Sequence, residues 1–155
     1  MTDQPQHPQV LMPPPLIYLG GLLTGYGLDQ ALAWQLPMPP WLATLAGLLA
    51  LAGILLIGST LLLFRRHQTT VLPHKAASTL ITSGPFRLSR NPIYLGFSLL
   101  HLACALSLAS PGMLLMLVPV LWVINQHVIA AEEAFHAQQF AEQWQAYRQR
   151  VRRWL

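Results

Sequence analysis

The residues most able to do chemistry lie together between positions 84 and 96, in the sequence GPFRLSRNPIYLG. Pro92 suits the first turn of a helix, where its missing N–H costs no hydrogen bond, and Asn91 before it is a candidate N-cap. Such a helix start presents free backbone N–H groups and the positive end of the helix dipole, which favour a carboxylate or a phosphate. Arg90 adds a cation there and Tyr94 adds a ring. The same pattern also fits a membrane-interface anchor, with the arginine on lipid headgroups and the tyrosine in an aromatic belt.

A pair of adjacent carboxylates, Glu132 and Glu133, follows the last long apolar run of the chain. Charges at the end of a membrane helix are costly unless water or a partner stabilises them. If the apolar runs between Pro92 and Ala131 form an antiparallel hairpin, the pair returns to the face that carries Arg90. A carboxylate accepts hydrogen bonds from hydroxyl and ammonium groups, so the combination suits a zwitterionic ligand that bears ribose. A solvated helix end is the competing interpretation.

Other kinds of chemistry have little support. Cys104 is the only cysteine, which excludes an internal disulfide and a thiolate cluster, and its apolar surroundings favour a small buried side chain. The six histidines show no metal-binding spacing, so we expect no metal site, and His101 fits a packing or helix-bridging role. The sequence contains no phosphate-binding glycine loop and no serine nucleophile motif.

The composition indicates the elements that must position these residues. Charged residues make up 9% of the chain and hydrophobic residues 54%, whereas a soluble domain carries about 25% charged residues. We therefore predict an all-α polytopic membrane protein with about four transmembrane helices and a C-terminal amphipathic helix. The predicted spans are residues 16–34, 41–64, 93–109 and 113–131. In terms of regions, residues 1–15 form a flexible proline-rich leader, residues 16–64 hold two N-terminal transmembrane helices, and residues 65–155 form a third region that holds the candidate site residues.

This third region comprises a polar connector (65–92), a transmembrane hairpin and a tail (132–155). The connector and the tail contain all nine Lys and Arg residues of the chain. With four spans these two segments lie on one side, and the positive-inside rule places that side in the cytoplasm. We therefore expect an integral protein of the inner or plasma membrane. The Ala31-Leu32-Ala33 triplet resembles a signal-peptidase site, but the leader lacks Lys and Arg, so the first span is expected to be retained.

The tail has the pattern of an amphipathic helix. Aromatic and apolar residues recur at spacings of four and three, which places them on one helical face. These residues are Phe140, Trp144, Tyr147, Val151 and Trp154. A basic helix of this kind is expected on the membrane surface or against the connector.

In these residues the chain resembles the isoprenylcysteine carboxyl methyltransferase family and its phospholipid methyltransferase relatives, small integral membrane enzymes that use S-adenosylmethionine. Their pattern is a Gly-Pro-aromatic-Arg turn, then Arg-His-Pro-x-Tyr-x-Gly at a helix start, an apolar hairpin, a Glu-Glu pair and an aromatic tail. The resemblance covers residues 80–155, and the first two spans match only in character. The matching residues are Gly84-Pro85-Phe86-Arg87, Arg90-Asn91-Pro92-Ile93-Tyr94-Leu95-Gly96, Glu132-Glu133, Trp144 with Tyr147, and Val151-Arg152-Arg153-Trp154.

The resemblance implies that residues 65–155 form the catalytic region. It implies a pocket for S-adenosyl-L-methionine between the connector, the third and fourth spans and the tail, with a lipophilic acceptor that enters from the bilayer. Methyl transfer from a sulfonium needs little acid–base help, because alignment of the reactants supplies most of the rate. The implied catalytic residues, which would orient the acceptor, are Glu133 and Arg87. The implied cofactor-binding residues are Arg90, Asn91, Pro92, Tyr94, Leu95, Gly96, Glu132 and Glu133.

Three positions depart from the family pattern. Asn91 replaces the more usual His and removes a titratable group, which argues against an obligatory base at that position. Ala141 stands where Gly is common, and His136 stands where Leu is common. The last two departures concern local packing.

Two alternatives remain open at this point. Membrane sterol reductases share a similar hairpin and aromatic tail but bind NADPH, and the acidic Glu132-Glu133 pair disfavours a 2′-phosphate. A non-enzymatic scaffold that binds lipid through its basic tail is the other alternative. The basic residues of the connector and those of the tail lie beside long apolar runs and do not form the soluble face that nucleic acid requires, so no nucleic-acid partner is expected. The methyl acceptor (carboxylate, amine, thiol or hydroxyl) and the oligomeric state are left undetermined.

Overall fold

The computed structural model describes residues 12–67 and 79–155, and every regular element within these ranges is helical, which confirms the predicted all-α class. A 3-10 turn at Gly84–Arg87 precedes the third α-helix, and a π-helical segment at Ile124–Ile129 joins the fourth to the fifth. The five α-helices are α1 Pro14–Leu32, α2 Pro40–Arg66, α3 Pro92–Ser107, α4 Pro111–Val123 and α5 Ala130–Arg150.

Prolines begin four of these helices, where a missing backbone N–H is tolerated. Pro92 starts α3, as the sequence indicated. Pro111 starts α4, so the connection between α3 and α4 lies just before it, and Gly112 is already helical. Ser110 is the N-cap, because its hydroxyl accepts a hydrogen bond of 3.0 Å from the backbone N–H of Met113. This short connection makes α3 and α4 the expected antiparallel hairpin.

Parts of the predicted leader and connector cannot be compared. Residues 1–11 and 68–78 lie outside the described ranges. Of the predicted leader, Pro14 and Pro15 belong to α1.

The helices pack chiefly as two pairs, α1 with α4 and α2 with α3, and α3 also contacts α4. Glycines let α2 and α3 approach closely. A Cβ atom on Gly53 would lie 2.8 Å from the carbonyl oxygen of Gly96, and one on Gly96 would lie 2.5 Å from Cγ1 of Ile57. Larger residues at these positions would force the two helices apart.

A buried carboxylate joins α1 to α4 at the end of the bundle opposite Pro92. Asp29 is only 6% exposed. It accepts hydrogen bonds from the hydroxyl of Ser110 and, at 2.7 Å, from the backbone N–H of Gly112. This arrangement satisfies free N–H groups at the start of α4 and fixes the register of the two helices.

Among the described residues, two helices are long and apolar enough to cross a membrane, α2 and the continuous helix Pro111–Arg150. α3 is apolar but has 16 residues, fewer than the roughly 20 that span a bilayer core. The membrane-protein class is therefore supported, while the count of four spans stays a prediction. Roughly 20 residues counted from Pro111 end near Ala130, which leaves Glu132 and the rest of α5 beyond the hydrocarbon core.

The predicted amphipathic helix over residues 132–155 is wrong in its extent. α5 is kinked at Ala141, whose φ of 36° and ψ of −108° are not helical, and it ends at Arg150. Val151 is extended, with φ −123° and ψ 132°. Residues 151–155, here called the C-terminal segment, therefore leave the helix and run against the connector. Val151 and Trp154 do not continue the helical face of Trp144 and Tyr147.

Candidate functional site

The C-terminal segment is tied to the residues just before α3. The backbone N–H of Arg90 donates to the carbonyl oxygen of Arg152 at 3.0 Å. The carbonyl oxygen of Arg153 accepts from the hydroxyl of Ser89 at 3.1 Å and from the side-chain amide of Asn91 at 3.0 Å. These bonds hold residues 152 and 153 against the connector, outside α5, which ends at Arg150. They satisfy carbonyl oxygens that would lack an intrahelical partner even in a helix that continued to Leu155.

Asn91 occupies the N-cap position of α3, but its side chain makes no capping hydrogen bond, so the predicted capping role is wrong. The Asn91 side chain is instead tied to the C-terminal segment, because its NH2 group donates to the carbonyl oxygen of Arg153. The hydroxyl of Ser89 accepts a 3.0 Å hydrogen bond from the Asn91 backbone N–H. Asn91 is buried and joins the connector to the C-terminal segment.

Glu133 lies between two arginines. One of its carboxylate oxygens is 3.0 Å from the terminal guanidinium nitrogen Nη2 of Arg90. The guanidinium of Arg153 contacts both carboxylate oxygens. The side chain of Glu133 is 14% exposed and that of Arg90 is 9% exposed. Burial weakens solvent screening, so these ion pairs are stronger than pairs on an open surface.

Arg90 keeps several N–H groups without an acceptor. Its Nε and Nη1 atoms are buried and have no hydrogen-bond partner among the described residues. Its guanidinium lies 5.5 Å from the centre of the Trp144 ring, which gives it a cation–π contact. Burial lowers the pKa of the guanidinium and the charge of Glu133 opposes that shift, yet an arginine remains protonated in a protein. A charged group with open donors is therefore enclosed at the start of α3.

Glu132 has a different environment from Glu133. The hydroxyl of Tyr94 donates a 2.6 Å hydrogen bond to Glu132 Oε1. Burial raises the pKa of Glu132 to about 7; the bond from Tyr94 opposes this shift, and the charge of Glu133 adds to it. The two adjacent carboxylates thus have separate partners, and Glu132 titrates near neutral pH.

Helix α1 supports the Tyr94 backbone from behind. The hydroxyl of Tyr18 donates to the carbonyl oxygen of Tyr94 at 3.0 Å and shares a 2.9 Å hydrogen bond with the hydroxyl of Ser98. Tyr18 is 3% exposed and belongs to the same buried core as Tyr94. The first helix therefore helps to set the position of a residue in the site.

Four of the residues predicted from the sequence are brought together. Arg90, Tyr94, Glu132 and Glu133, with Arg153 added by the structure, are called the charged cluster below. Arg87 is exposed at the end of the 3-10 turn, and its side chain has no hydrogen bond or ion pair with the described residues.

The other predicted residues have structural surroundings of their own. Pro92 is buried at the start of α3. Gly96 packs against α2, where a Cβ atom would meet Ile57 at 2.5 Å. Leu95 faces a cavity next to the charged cluster.

The cavity has a volume of about 390 Å³. Apolar side chains form most of its wall, and Ser98 and Asn125 supply the polar groups. Two of its lining residues directly follow members of the charged cluster in the chain, since Leu95 follows Tyr94 and Trp154 follows Arg153. The lining residues are Leu95, Ser98, Leu121, Trp122, Asn125 and Trp154.

Two histidines fill packing roles. His101 is 1% exposed, and its Nε2 atom lies 3.0 Å from the carbonyl oxygen of Met113, so it bridges α3 and α4 as expected. His136 stacks near Trp144 with ring centres 5.3 Å apart, and burial lowers its pKa. Within the described ranges no group of three or more metal-ligating side chains occurs.

The sequence interpretation missed two residues that connect the cluster to the cavity. Arg153 contacts Glu133 and also donates to Asn125 Oδ1 at 3.0 Å. Arg153 was interpreted as positive charge at the membrane surface and as part of the C-terminal family pattern, without a role in the site. Asn125 offered a signal, because it is a polar residue within an apolar run.

Part of the chain matches known proteins. Residues 41–143 match a family model described as phospholipid methyltransferase. An uncharacterized protein of Haemophilus influenzae is 38% identical over 63 residues, which are 41% of this chain and 100% of that protein. No solved structure matches the chain with significance. The family match spans α2 to the first part of α5, and it excludes α1 and the C-terminal segment.

Proposed function

The chain belongs to the phospholipid methyltransferase family, and on that premise we propose that it transfers a methyl group from S-adenosylmethionine to a lipophilic acceptor at the membrane. Membership of the family makes the protein a membrane methyltransferase. The cofactor and the acceptor class are the further content of the proposal. When bound, S-adenosylmethionine supplies an electrophilic methyl group on a sulfonium, and its amino-acid end carries a carboxylate and an ammonium group.

The open donors of Arg90 carry this proposal. Its Nε and Nη1 groups are buried and lack an acceptor among the described residues. An unsatisfied buried donor costs about 1–3 kcal/mol, and more when it is charged. Nε and Nη1 lie on different edges of the guanidinium, so a ligand carboxylate would satisfy one of them with a charge-assisted hydrogen bond and remove part of this cost. Arg90 therefore fits the carboxylate of an amino-acid cofactor.

Glu132 fits the groups of opposite character. Its carboxylate accepts a hydrogen bond from Tyr94, and its remaining lone pairs are available to hydroxyl or ammonium donors. Because burial raises its pKa to about 7, a cationic ligand nearby would favour the ionised form and release a proton on binding. The charged cluster thus offers a cation and an anion in one enclosed region.

Glu133 serves this site through Arg90. Its carboxylate lies against Arg90 on one side and Arg153 on the other. These contacts hold the Arg90 guanidinium in one orientation, with Nε and Nη1 left unpaired among the described residues. We assign Glu133 to the cofactor site as the residue that orients Arg90. We also propose that the site lies on the cytoplasmic side of the membrane.

Calorimetry on the purified protein in detergent tests the proposal. S-Adenosylmethionine and its demethylated product should bind, and NADPH should not. Replacing Arg90 by alanine should weaken cofactor binding at least about tenfold, since a hydrogen bond to a charged group contributes about 1.5–3 kcal/mol. Thermal unfolding in the same detergent checks that the variant remains folded.

Arg150→Ala is the matched control, because Arg150 is an exposed arginine near the end of α5 whose Nε atom bonds only to the local carbonyl oxygen of Ala146 among the described residues. It should leave cofactor affinity unchanged. Binding of NADPH without binding of either adenosyl compound would instead support a reductase of the sterol-reductase type. Equal losses in Arg90→Ala and Arg150→Ala would reject a specific role for Arg90.

A further inference from the structure

Asn125 lies where the charged cluster meets the cavity of about 390 Å³. We propose that Asn125 binds the polar head of the lipophilic acceptor through its side-chain NH2 group, and that Arg153 is a positioning residue that fixes this amide. The inference rests on the proposed function, since it concerns the second substrate of the same reaction. The sequence interpretation gave neither Asn125 nor Arg153 a role in the reaction.

The orientation of the Asn125 amide follows from its partner. The Nη1 atom of Arg153 lies 3.0 Å from Asn125 Oδ1. A guanidinium has only donors, so the carboxamide oxygen must face it and the NH2 group must point elsewhere. That NH2 group has no acceptor among the residues in ranges 12–67 and 79–155, and Asn125 forms part of the cavity wall. The wall therefore offers a hydrogen-bond donor of fixed direction.

The backbone at Asn125 is unusual as well. Asn125 lies in the π-helical segment Ile124–Ile129, between two regular α-helices. A π-helical turn carries an extra residue and redirects the side chains around it, and such turns occur often at functional sites. A polar side chain within an apolar membrane run is costly, which further favours a functional reason for it.

The other lining residues define the class of the acceptor. Leu95, Leu121, Trp122 and Trp154 present apolar surface, and they favour a hydrocarbon chain. Trp122 is 59% exposed on the outer surface of the bundle, so a chain too long for the cavity can continue into the bilayer. The acceptor inferred is a lipid with one chain in the cavity and a hydrogen-bond-accepting oxygen close to the methylated group.

Arg153 couples this donor to the cofactor site. The same guanidinium contacts Glu133, which in turn contacts Arg90. The path Asn125, Arg153, Glu133, Arg90 consists of direct contacts and crosses from the cavity to the charged cluster. An acceptor held at Asn125 is thereby aligned with the region assigned to the cofactor, and alignment is what methyl transfer requires.

Two substitutions separate the binding role from a structural one. Asn125→Asp keeps an oxygen for Arg153 and replaces the cavity-facing donor by an acceptor. Asn125→Ala removes both groups. Gln126→Glu is the matched control for the acid, because Gln126 is the exposed neighbour in the same π-helical segment. The assay uses saturating tritiated S-adenosylmethionine, a titration of total membrane lipid extract in dodecyl maltoside, and calorimetry of the cofactor.

The lipid concentration at half-maximal rate should rise at least about fivefold in Asn125→Asp and in Asn125→Ala, as expected for the loss of a hydrogen bond. The cofactor Kd of Asn125→Asp should stay within about twofold of wild type, and Gln126→Glu should behave as wild type. If Asn125 only anchors Arg153, Asn125→Asp will match wild type while Asn125→Ala fails, and that result overturns the proposal. A wild-type protein that binds cofactor but labels no lipid also overturns it, whereas absence of cofactor binding would reject the proposed function itself.

Discussion

Replacing Tyr94 by phenylalanine should change the pH dependence of cofactor binding. The substitution keeps the ring and removes a hydroxyl that donates a 2.6 Å hydrogen bond to Glu132 Oε1. That bond favours the ionised carboxylate, whereas burial and the charge of Glu133 together raise the pKa of Glu132 to about 7. Without the hydroxyl the pKa must rise further.

The magnitude follows from the strength of the bond. A hydrogen bond to a charged group contributes about 1.5–3 kcal/mol, and one pKa unit corresponds to about 1.4 kcal/mol, so the pKa of Glu132 should rise by roughly 1–2 units. At pH 7 about half of the wild-type carboxylates are ionised, against roughly one in ten to one in a hundred in the variant. If the cofactor requires the ionised form, its affinity at pH 7 falls about 5- to 50-fold.

The assay is cofactor Kd by calorimetry between pH 6 and pH 9. Because ionisation precedes binding, wild-type affinity should rise about tenfold per unit below pH 7 and level off above it. For Tyr94→Phe the levelling should occur near pH 8–9, so the two proteins converge at high pH. Buffers of different ionisation enthalpy should report release of a proton on binding in the rising part of each curve.

Tyr147→Phe is the control. The hydroxyl it removes donates a 2.7 Å hydrogen bond to the carbonyl oxygen of Phe86 and has no carboxylate partner among the described residues. Its curve should keep the wild-type midpoint. Parallel curves for Tyr94→Phe and wild type, separated by a constant factor at every pH, would show that Glu132 does not bind the cofactor as an anion.

Two further predictions concern the helices that carry the site. Ala141→Gly should raise the unfolding free energy by about 1–2 kcal/mol, because the positive φ at this kink strains any residue with a Cβ atom. The control, Ala137→Gly in the regular part of α5, should lower the unfolding free energy by about 0.5–1 kcal/mol. Thermal unfolding in detergent measures both, and equal losses would contradict the assignment of strain. Gly96→Ala should destabilise the protein by about 1–3 kcal/mol through a clash with α2, while Gly58→Ala, with nothing within 4 Å, should be neutral or better. If Gly96→Ala keeps wild-type stability but loses the cofactor, Gly96 is a ligand contact and not a packing residue.

Local signals were sufficient for most helix boundaries. The predicted spans 41–64 and 93–109 correspond to α2 Pro40–Arg66 and α3 Pro92–Ser107. A proline at a helix start and the length of an apolar run are both local features of the sequence, so they can be interpreted without a tertiary structure. The pairing of α1 with α4 and of α2 with α3 depends on complementary surfaces and was not predicted.

The tail shows where local signals fail. The spacing of its aromatic residues continues to Trp154, and a helix over the whole tail follows from that spacing. The connector nevertheless supplies hydrogen-bond donors for the carbonyl oxygens of Arg152 and Arg153 from more than sixty residues away. The same contact removes Asn91 from its expected capping role. The end of α5 and the bonding of the Asn91 side chain both involve residues far apart in the sequence, so a short stretch of sequence could not predict either.

The sequence predicted which charged residues meet in the site, but not which hydrogen bonds and ion pairs they form. Arg90, Tyr94, Glu132 and Glu133 were expected to meet, and the structure brings them into contact. Sequence reasoning had no means to divide the two adjacent glutamates, one hydrogen-bonded to a tyrosine and one between two arginines. That division decides which carboxylate can titrate near neutral pH and which is held as an ion pair.

Some residues that support the candidate site lie outside the span of the family match. The match covers residues 41–143. Tyr18, which supports the Tyr94 backbone, precedes that span, and Arg153, which contacts both Glu133 and Asn125, follows it. A protein cut to the matched span would leave Glu133 with Arg90 alone and the cavity without Trp154. The groups proposed to hold the cofactor therefore depend on segments outside the match, and the proposed site requires the folded chain from α1 to the C-terminal segment.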